Sequence, residues 1–327
     1  MSRRRSALLA LSGAAAARLG LAGAAALDAR PAGAPWRRTN YAGRPVTLLG
    51  GPALALAATA SAVAGAPAGT RAAAALVGTV SGLVGSYDDL AGARPEQARD
   101  KGLAGHLRAL RAGRVSAGAV KVAGIGAAAA AAALLVQDPA APCRPHPGHR
   151  PEPRSALLQG FATSVRVAGG RRVLHGGDGV LPPAARPLHR LTTLADAVLT
   201  TGLVAGTANL VNLLDLRPGR AAKAAALAAA AGLGSPSGAL VAGPLGASIA
   251  VLPADLGERV MLGDCGANAV GALLGLRLAA VPGRRARAGA LAAVVGLTLA
   301  SERVSFTRVI EATPVLRELD RIGRRGA

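Results

Sequence analysis

Apolar blocks constrain this chain more than any other feature. Stretches of roughly 15–25 residues run almost free of charge, the length a helix needs to cross about 30 Å of hydrocarbon. They fall near Ser6–Leu27, Thr47–Ala66, Ala72–Leu90, Ser116–Val136, Leu188–Leu214, Ala221–Leu233, Ala239–Pro253, Ala267–Val281 and Ala288–Ala300. A backbone in lipid must satisfy its hydrogen bonds internally, so such blocks predict helices. The expected fold is all-α, a polytopic transmembrane helical bundle of about nine spans. The last few blocks are short and require tilt, local thinning or burial against neighbours. The first block follows Arg3-Arg4-Arg5 and reads as a membrane helix rather than a signal peptide, since its apolar run is long and more spans follow. A soluble domain of 327 residues would carry more than 17% charged residues, and its helices would be amphipathic.

The expected organisation is one integral membrane domain over residues 1–327. A polar, Pro-, Gly- and Arg-rich segment at about 137–187 reads as an external loop, with a short amphipathic piece around Ala156–Val167. A tail follows from Ser301. The formal net charge of +21 invites a nucleic-acid reading, but aromatics are only 2%, too few for a base-stacking platform. The Arg residues lie mostly between apolar blocks, where anionic lipid headgroups are their neighbours, so membrane lipids and not nucleic acid are the expected partners. Lys and Arg are richest in Asp28–Val46, Gly92–Val115, Asp215–Arg220, Asp255–Gly266 and the tail, which the positive-inside rule makes cytoplasmic. The result is an N-out, C-in protein of a plasma membrane.

Three polar clusters interrupt or end the apolar blocks. They are Gly85-Ser86-Tyr87-Asp88-Asp89, Asn209-Leu210-Val211-Asn212-Leu213-Leu214-Asp215 and Met261-Leu262-Gly263-Asp264-Cys265-Gly266-Ala267-Asn268. With alternating spans, all three emerge on one side. Each has a bland reading taken alone: a helix end in the headgroup region, interhelical hydrogen-bonding glue, or a turn and N-cap. Together, carboxylates and carboxamides at one membrane face mark an ion, substrate or catalytic site and suit Mg²⁺, which favours oxygen ligands. Cys143, His146 and His149 have metal-like spacing but no fourth ligand, and His175–Gly179 reads as a turn. Cys143 and Cys265 lie in unlike contexts, and no disulfide between them is expected.

The clusters, in this order and within this span pattern, resemble the polyprenyl-phosphate N-acetylhexosamine-1-phosphate transferases, the family that includes phospho-N-acetylmuramoyl-pentapeptide transferase. Asp88-Asp89 resembles the family's Asp-Asp pair at a helix end, and Lys101-Gly102-Leu103 its Lys-Gly-Leu. Asn209, Asn212 and Asp215 match its Asn-x-x-Asn-x-x-Asp motif. Met261–Gly266, continued by Gly271 and Gly275, is similar to its Met-Gly-Asp-Thr-Gly motif, and Leu49-Gly50-Gly51 resembles the Gly-Gly that opens its second span. The resemblance covers most of the chain, from about Arg37 to Leu276. It implies transfer of a sugar-1-phosphate from a UDP-sugar to a polyprenyl phosphate with release of UMP, in bacterial envelope synthesis. It also implies Asp264, Asp88 and Asp89 as catalytic and Mg²⁺-binding residues. Asn209, Asn212 and Asp215 are then expected to shape the nucleotide-sugar pocket, and Lys101 to contact phosphate. Pairing of two copies as a homodimer is left open.

The chain departs from the family at two places. Where the motif after Asp215 usually continues to a second Asp-Gly, this chain has Pro218-Gly219. No histidine follows Asp264, whereas the family carries a His-rich motif near its C-terminus. Arg303 and Arg308 in the tail are the expected substitutes, since a guanidinium suits phosphate oxygens. The same departures support an alternative: a catalytically inactive relative acting as a membrane scaffold or lipid-carrier-binding protein of the cell-wall machinery. A transporter would show inverted repeats and helices broken near the bilayer midplane, whereas the clusters here sit at helix ends.

Overall fold

The structure, a computed structural model, describes residues 2–92, 94, 102–137 and 186–324. Lys101, Cys143, His146, His149, His175–Gly179 and the piece around Ala156–Val167 lie outside the described residues. Twelve helices are described: α1 (Arg3–Asp28), α2 (Gly50–Gly65), α3 (Arg71–Ala91), α4 (Gly102–Arg111), α5 (Ala117–Gln137), α6 (Arg186–Leu214), α7 (Arg220–Gly232), α8 (Ala239–Leu256), α9 (Gly263–Ala279), α10 (Arg284–Arg303), α11 (Phe306–Ala312) and α12 (Pro314–Arg321). The features that follow belong to one compact unit, Met1–Gln137 with Thr193–Ala327.

Each expected apolar block is a helix. Four stretches are long and apolar enough to cross a bilayer: Arg3–Asp28, Ala117–Val136, Thr193–Leu214 and Ala239–Leu256. A fifth arises if α10 and α11, bent by 95° at their junction, count as one. The chain is therefore an all-α, membrane-embedded protein with four or five such stretches among the described residues. α2, α7 and α9 have 16, 13 and 17 residues. At 1.5 Å per residue they measure about 24, 20 and 26 Å, below the usual hydrocarbon thickness.

Several helix ends meet at one face of the bundle. The contacts that define this face join the ends of α3, α6 and α8 to the starts of α5, α7 and α9. A short hairpin of β1 (Arg37–Thr39) and β2 (Pro45–Thr47), paired Arg37 to Thr47, sits at the same face. Its sequence reads only as a basic connection; the turn forms because the Asn40 side-chain oxygen accepts the N–H groups of Ala42 and Arg44. The Asn40 amide then donates to Glu258 at 2.6 Å, and Arg44 pairs with the same carboxylate at 3.2 Å. Thr47 adds one parallel bridge to Val260, through Thr47 N–H to the Arg259 carbonyl and Met261 N–H to the Thr47 carbonyl. The hairpin thus clips the α8–α9 loop from which the Gly263-Asp264 turn begins.

The core is built largely from alanine, with Leu54, Leu203, Leu240, Leu273 and Leu276 as its larger members. In lipid there is no hydrophobic force between helices, so association depends on close packing that small residues permit. The α1–α8 contact shows how close. A Cβ at Gly13 would overlap the carbonyl of Gly243, and one at Gly246 would overlap the carbonyl of Ala10. Gly246→Ala is expected to push these backbones apart and destabilise the bundle by about 2 kcal/mol. Gly23→Ala, which meets nothing within 4 Å, is expected to be neutral or stabilising by up to about 1 kcal/mol. Thermal unfolding of the two variants in detergent checks the contrast.

Candidate active site

The site is built on the start of α9. Helix N-termini expose N–H groups with no partner in their own helix. Here a neighbouring helix supplies the acceptor: Asp89, in the last turn of α3, takes the Asp264 N–H at 2.9 Å and the Cys265 N–H at 3.0 Å, one on each carboxylate oxygen. The arrangement needs α3 and α9 nearly in backbone contact, and Gly85 allows it, since a Cβ there would overlap the Asp264 carbonyl. Gly263 has φ +56°, a left-handed turn that favours glycine, and an added Cβ would fall 2.8 Å from Asp89 Oδ1. The carbonyl of Asp89 in turn accepts a hydrogen bond from Arg38 of the hairpin. On the far side of the turn, Asn268 Nδ2 donates to the Asp264 carbonyl at 2.7 Å.

Beside this cap the side chains of Asp88 and Asp264 face one another, and the ammonium of Lys121 bridges them. Lys121 Nζ lies 2.7 Å from Asp88 Oδ2 and also bonds Asp264 Oδ2. It reaches them from the first turns of α5, and its side chain is 17% exposed. Two carboxylates from different helices thus share one cation at a partly desolvated point, where Coulomb attraction is screened much less than in water.

A second pair of carboxylates lies beneath the α6–α7 connection. Asp215, just past the end of α6, accepts the Gly263 N–H, and Asp255, at the end of α8, accepts the Gly219 N–H. Gly219 supports this with φ +74° at the entry to α7. Burial pushes the Asp215 carboxyl well above the ordinary carboxylate range; the Asp255 charge adds to the rise, and the Gly263 N–H opposes it. One oxygen of Asp255 is buried with no partner among the described residues.

The tail closes over this connection. Asp320 makes a two-pronged ion pair with buried Arg220 at 3.0 Å on each prong, and Arg324 bonds both Asp320 at 2.7 Å and the Pro218 carbonyl at 3.2 Å. Burial works against the charged form of Asp320, yet Arg220 and Arg324 hold its carboxyl below the ordinary range.

The structure brings Asp88, Asp89, Asp264 and Asp215 to one place. Asn209 is exposed on α6 and Asn212 is half-buried; the side chains of both make no hydrogen bond among the described residues. Arg303 and Arg308 are exposed and have no ion pair among the described residues. The guanidinium groups hydrogen-bonded at the α6–α7 connection are instead Arg220 and Arg324, while Arg217 stacks over Tyr41. Sequence reasoning missed Lys121 and Asp255. The signal for Lys121 was in plain view, a single cation inside the apolar block Ser116–Val136, since ionisable residues in such blocks are costly and kept for a use. Asp255 closes the block Ala239–Pro253 and passes for an ordinary helix end until the fold sets it beside Asp215.

Among the described residues no group of three His, Cys, Asp or Glu side chains is arranged to hold a metal ion. Mg²⁺ is commonly held by one or two carboxylates, with waters and substrate phosphates completing its shell. Asp88 and Asp264 meet that smaller requirement, since their facing oxygens already share a cation. Asp89 has both oxygens engaged on backbone N–H groups in this conformation.

Asp89→Ala is expected to leave two N–H groups of α9 without an acceptor and to cost about 2 kcal/mol of stability. Asp88→Ala is expected to cost less, because Lys121 keeps Asp264. Thermal unfolding of the two variants compares them. The Asp320 clamp should be present above the ordinary carboxylate value of 3.8 and be lost as pH falls through the lower folded value. At neutral pH, Asp320→Asn is expected to speed trypsin cleavage at Arg317 and Arg321, read by mass spectrometry of the released peptides. No protein-family model, characterised protein or solved structure matches this chain, leaving its own residues as the guide to its chemistry.

Proposed function

We propose that this protein is a membrane transferase that moves a sugar-1-phosphate from a UDP-sugar to a polyprenyl phosphate, releasing UMP, in bacterial cell-envelope synthesis. The observation that carries this reading is the meeting of Asp88 and Asp264, from motifs 176 residues apart, on one cation at a face of the bundle. Such a point suits two anionic substrates, one arriving from the bilayer and one from water. The reading includes about nine spans, N-out and C-in, with the active face cytoplasmic.

Phosphoryl transfer asks a protein mainly to align the reactants and neutralise charge. A phosphate oxygen of the lipid attacks the β-phosphorus of the UDP-sugar. The new P–O bond joins lipid and sugar phosphates, and the bond from the β-phosphorus to the bridging oxygen breaks, so that UMP leaves. Mg²⁺ held by Asp88 and Asp264 would supply charge neutralisation on the pyrophosphate. The N–H groups of Gly263, Asp264 and Cys265 are taken by Asp215 and Asp89, so the start of α9 has no donors left there for an anion. The protein's own positive charge for the phosphates therefore falls to Lys121, whose flexible stem lets the ammonium turn from the carboxylates to phosphate oxygens. Asp89 keeps Asp264 aimed by fixing the turn that bears it. Asp215 and Asp255 form the floor beneath the α6–α7 connection, beside which the nucleotide-sugar would lie.

The test is UMP release by the purified, detergent-solubilised protein given undecaprenyl phosphate, Mg²⁺ and a panel of UDP-sugars. Wild type is expected to turn over with one donor, and Asp264→Asn and Lys121→Gln to lose at least about 100-fold. A folded wild type that binds the lipid phosphate yet turns over no donor would favour the second reading, a catalytically inactive relative that binds the lipid carrier. That reading draws on Lys121 lying where a catalytic cation is needed, and on the Pro218 replacement.

A further inference from the structure

A second charged feature of the bundle plays no part in the transfer chemistry. A cavity of about 430 Å³ opens between the second half of α1 and the end of α8, with Thr47 and Val260 of the hairpin bridge at its rim. Its α1 side is one helical stripe from Arg18 to Ala29, and its α8 side is formed by small residues around Pro253. Two guanidinium groups line it, Arg18 and Arg259, and neither makes a hydrogen bond or ion pair among the described residues. The carboxylate at the rim, Asp28, is engaged by Arg37 at 3.1 Å. The cavity therefore combines apolar walls with uncompensated positive charge.

The position of Arg18 sharpens the point. It lies ten residues before the end of α1, about 15 Å along the axis. α1 is long and apolar enough to cross a membrane, and it exposes Leu8, Leu11 and Leu19 outward. An exposed, unpaired guanidinium on such a helix is costly in hydrocarbon and normally marks a partner. Arg259 approaches from the α8–α9 loop, beside the Thr47–Val260 bridge. A phosphate between the two would neutralise both, and two acyl chains attached to it would run along the apolar stripes of α1 and α8. A basic pocket between membrane helices is a recurrent solution for anionic lipids.

We propose that this cavity binds the phosphate headgroup of an anionic membrane phospholipid, with Arg18 and Arg259 on the phosphate oxygens. The site is separate from the carboxylate cluster, and its occupation does not depend on the transferase reading.

The experiment uses the full chain in a neutral detergent and follows its thermal unfolding with added phosphatidylglycerol, phosphatidylcholine of the same chains, or inorganic phosphate. Phosphatidylglycerol is expected to raise the midpoint and phosphatidylcholine to leave it unchanged. The double variant Arg18→Gln with Arg259→Gln is expected to need roughly tenfold more phosphatidylglycerol for the same rise. Arg18→Lys with Arg259→Lys keeps the charge and should keep most of the response, which separates lost recognition from a damaged fold. Native mass spectrometry of the wild type should find phosphatidylglycerol retained where phosphatidylcholine is stripped. An equal response to the two lipids, or an undiminished response in the Gln variant, would overturn the proposal. A full response to inorganic phosphate alone would also overturn it, assigning the two arginines to a soluble anion.

Discussion

Everything at the polar face depends on α3 and α9 coming nearly into backbone contact. In lipid, apolar side chains gain nothing by choosing one another over acyl chains, so a bundle is held by close packing and by polar groups that find partners across helices. Gly85 and Gly263 remove the side chains that would hold the two helices apart, and Asp89 then spans the narrow gap with hydrogen bonds to two N–H groups. Close approach and polar satisfaction support each other here. The hydrogen bonds are short enough to form only because the glycines permit contact, and the contact is worth forming because it satisfies a helix terminus that would otherwise be buried unpaired.

From that contact follows the electrostatic character of the site. Asp88 and Asp264 face one another from different helices. One lysine answers for both. Deeper in, Asp215 and Asp255 are neighbours that each accept a backbone N–H group, and the charges of Arg324 and Lys223 act on Asp255 from a distance without an ion pair. The same physics gives the two pairs different prospects. A pair sharing a mobile ammonium can exchange that cation for another, or release it to an anionic substrate. A pair held on backbone donors is a fixed feature of the floor. The tail reinforces the floor from outside through Arg220, Asp320 and Arg324, which ties the α6–α7 connection to a segment far away in the chain.

The sequence by itself determined that the chain is helical and membrane-embedded, because uncharged runs of this length leave a backbone in lipid no other way to satisfy its hydrogen bonds. It also placed Asp88, Asp89, Asp215 and Asp264 at helix ends, because they interrupt or end the apolar blocks. What each residue does there was decided only by tertiary structure. Adjacent in sequence, Asp88 and Asp89 point to different tasks, one to a cation and one to a helix terminus, because a helix turns by about 100° per residue and their neighbours differ. Lys121 and Asp255 entered the cluster through packing between helices far apart in sequence, which no local pattern records. Asn209, Arg303 and Arg308 stayed at the surface for the same reason: a motif states which residues are present, and only the packed helices decide which of them meet.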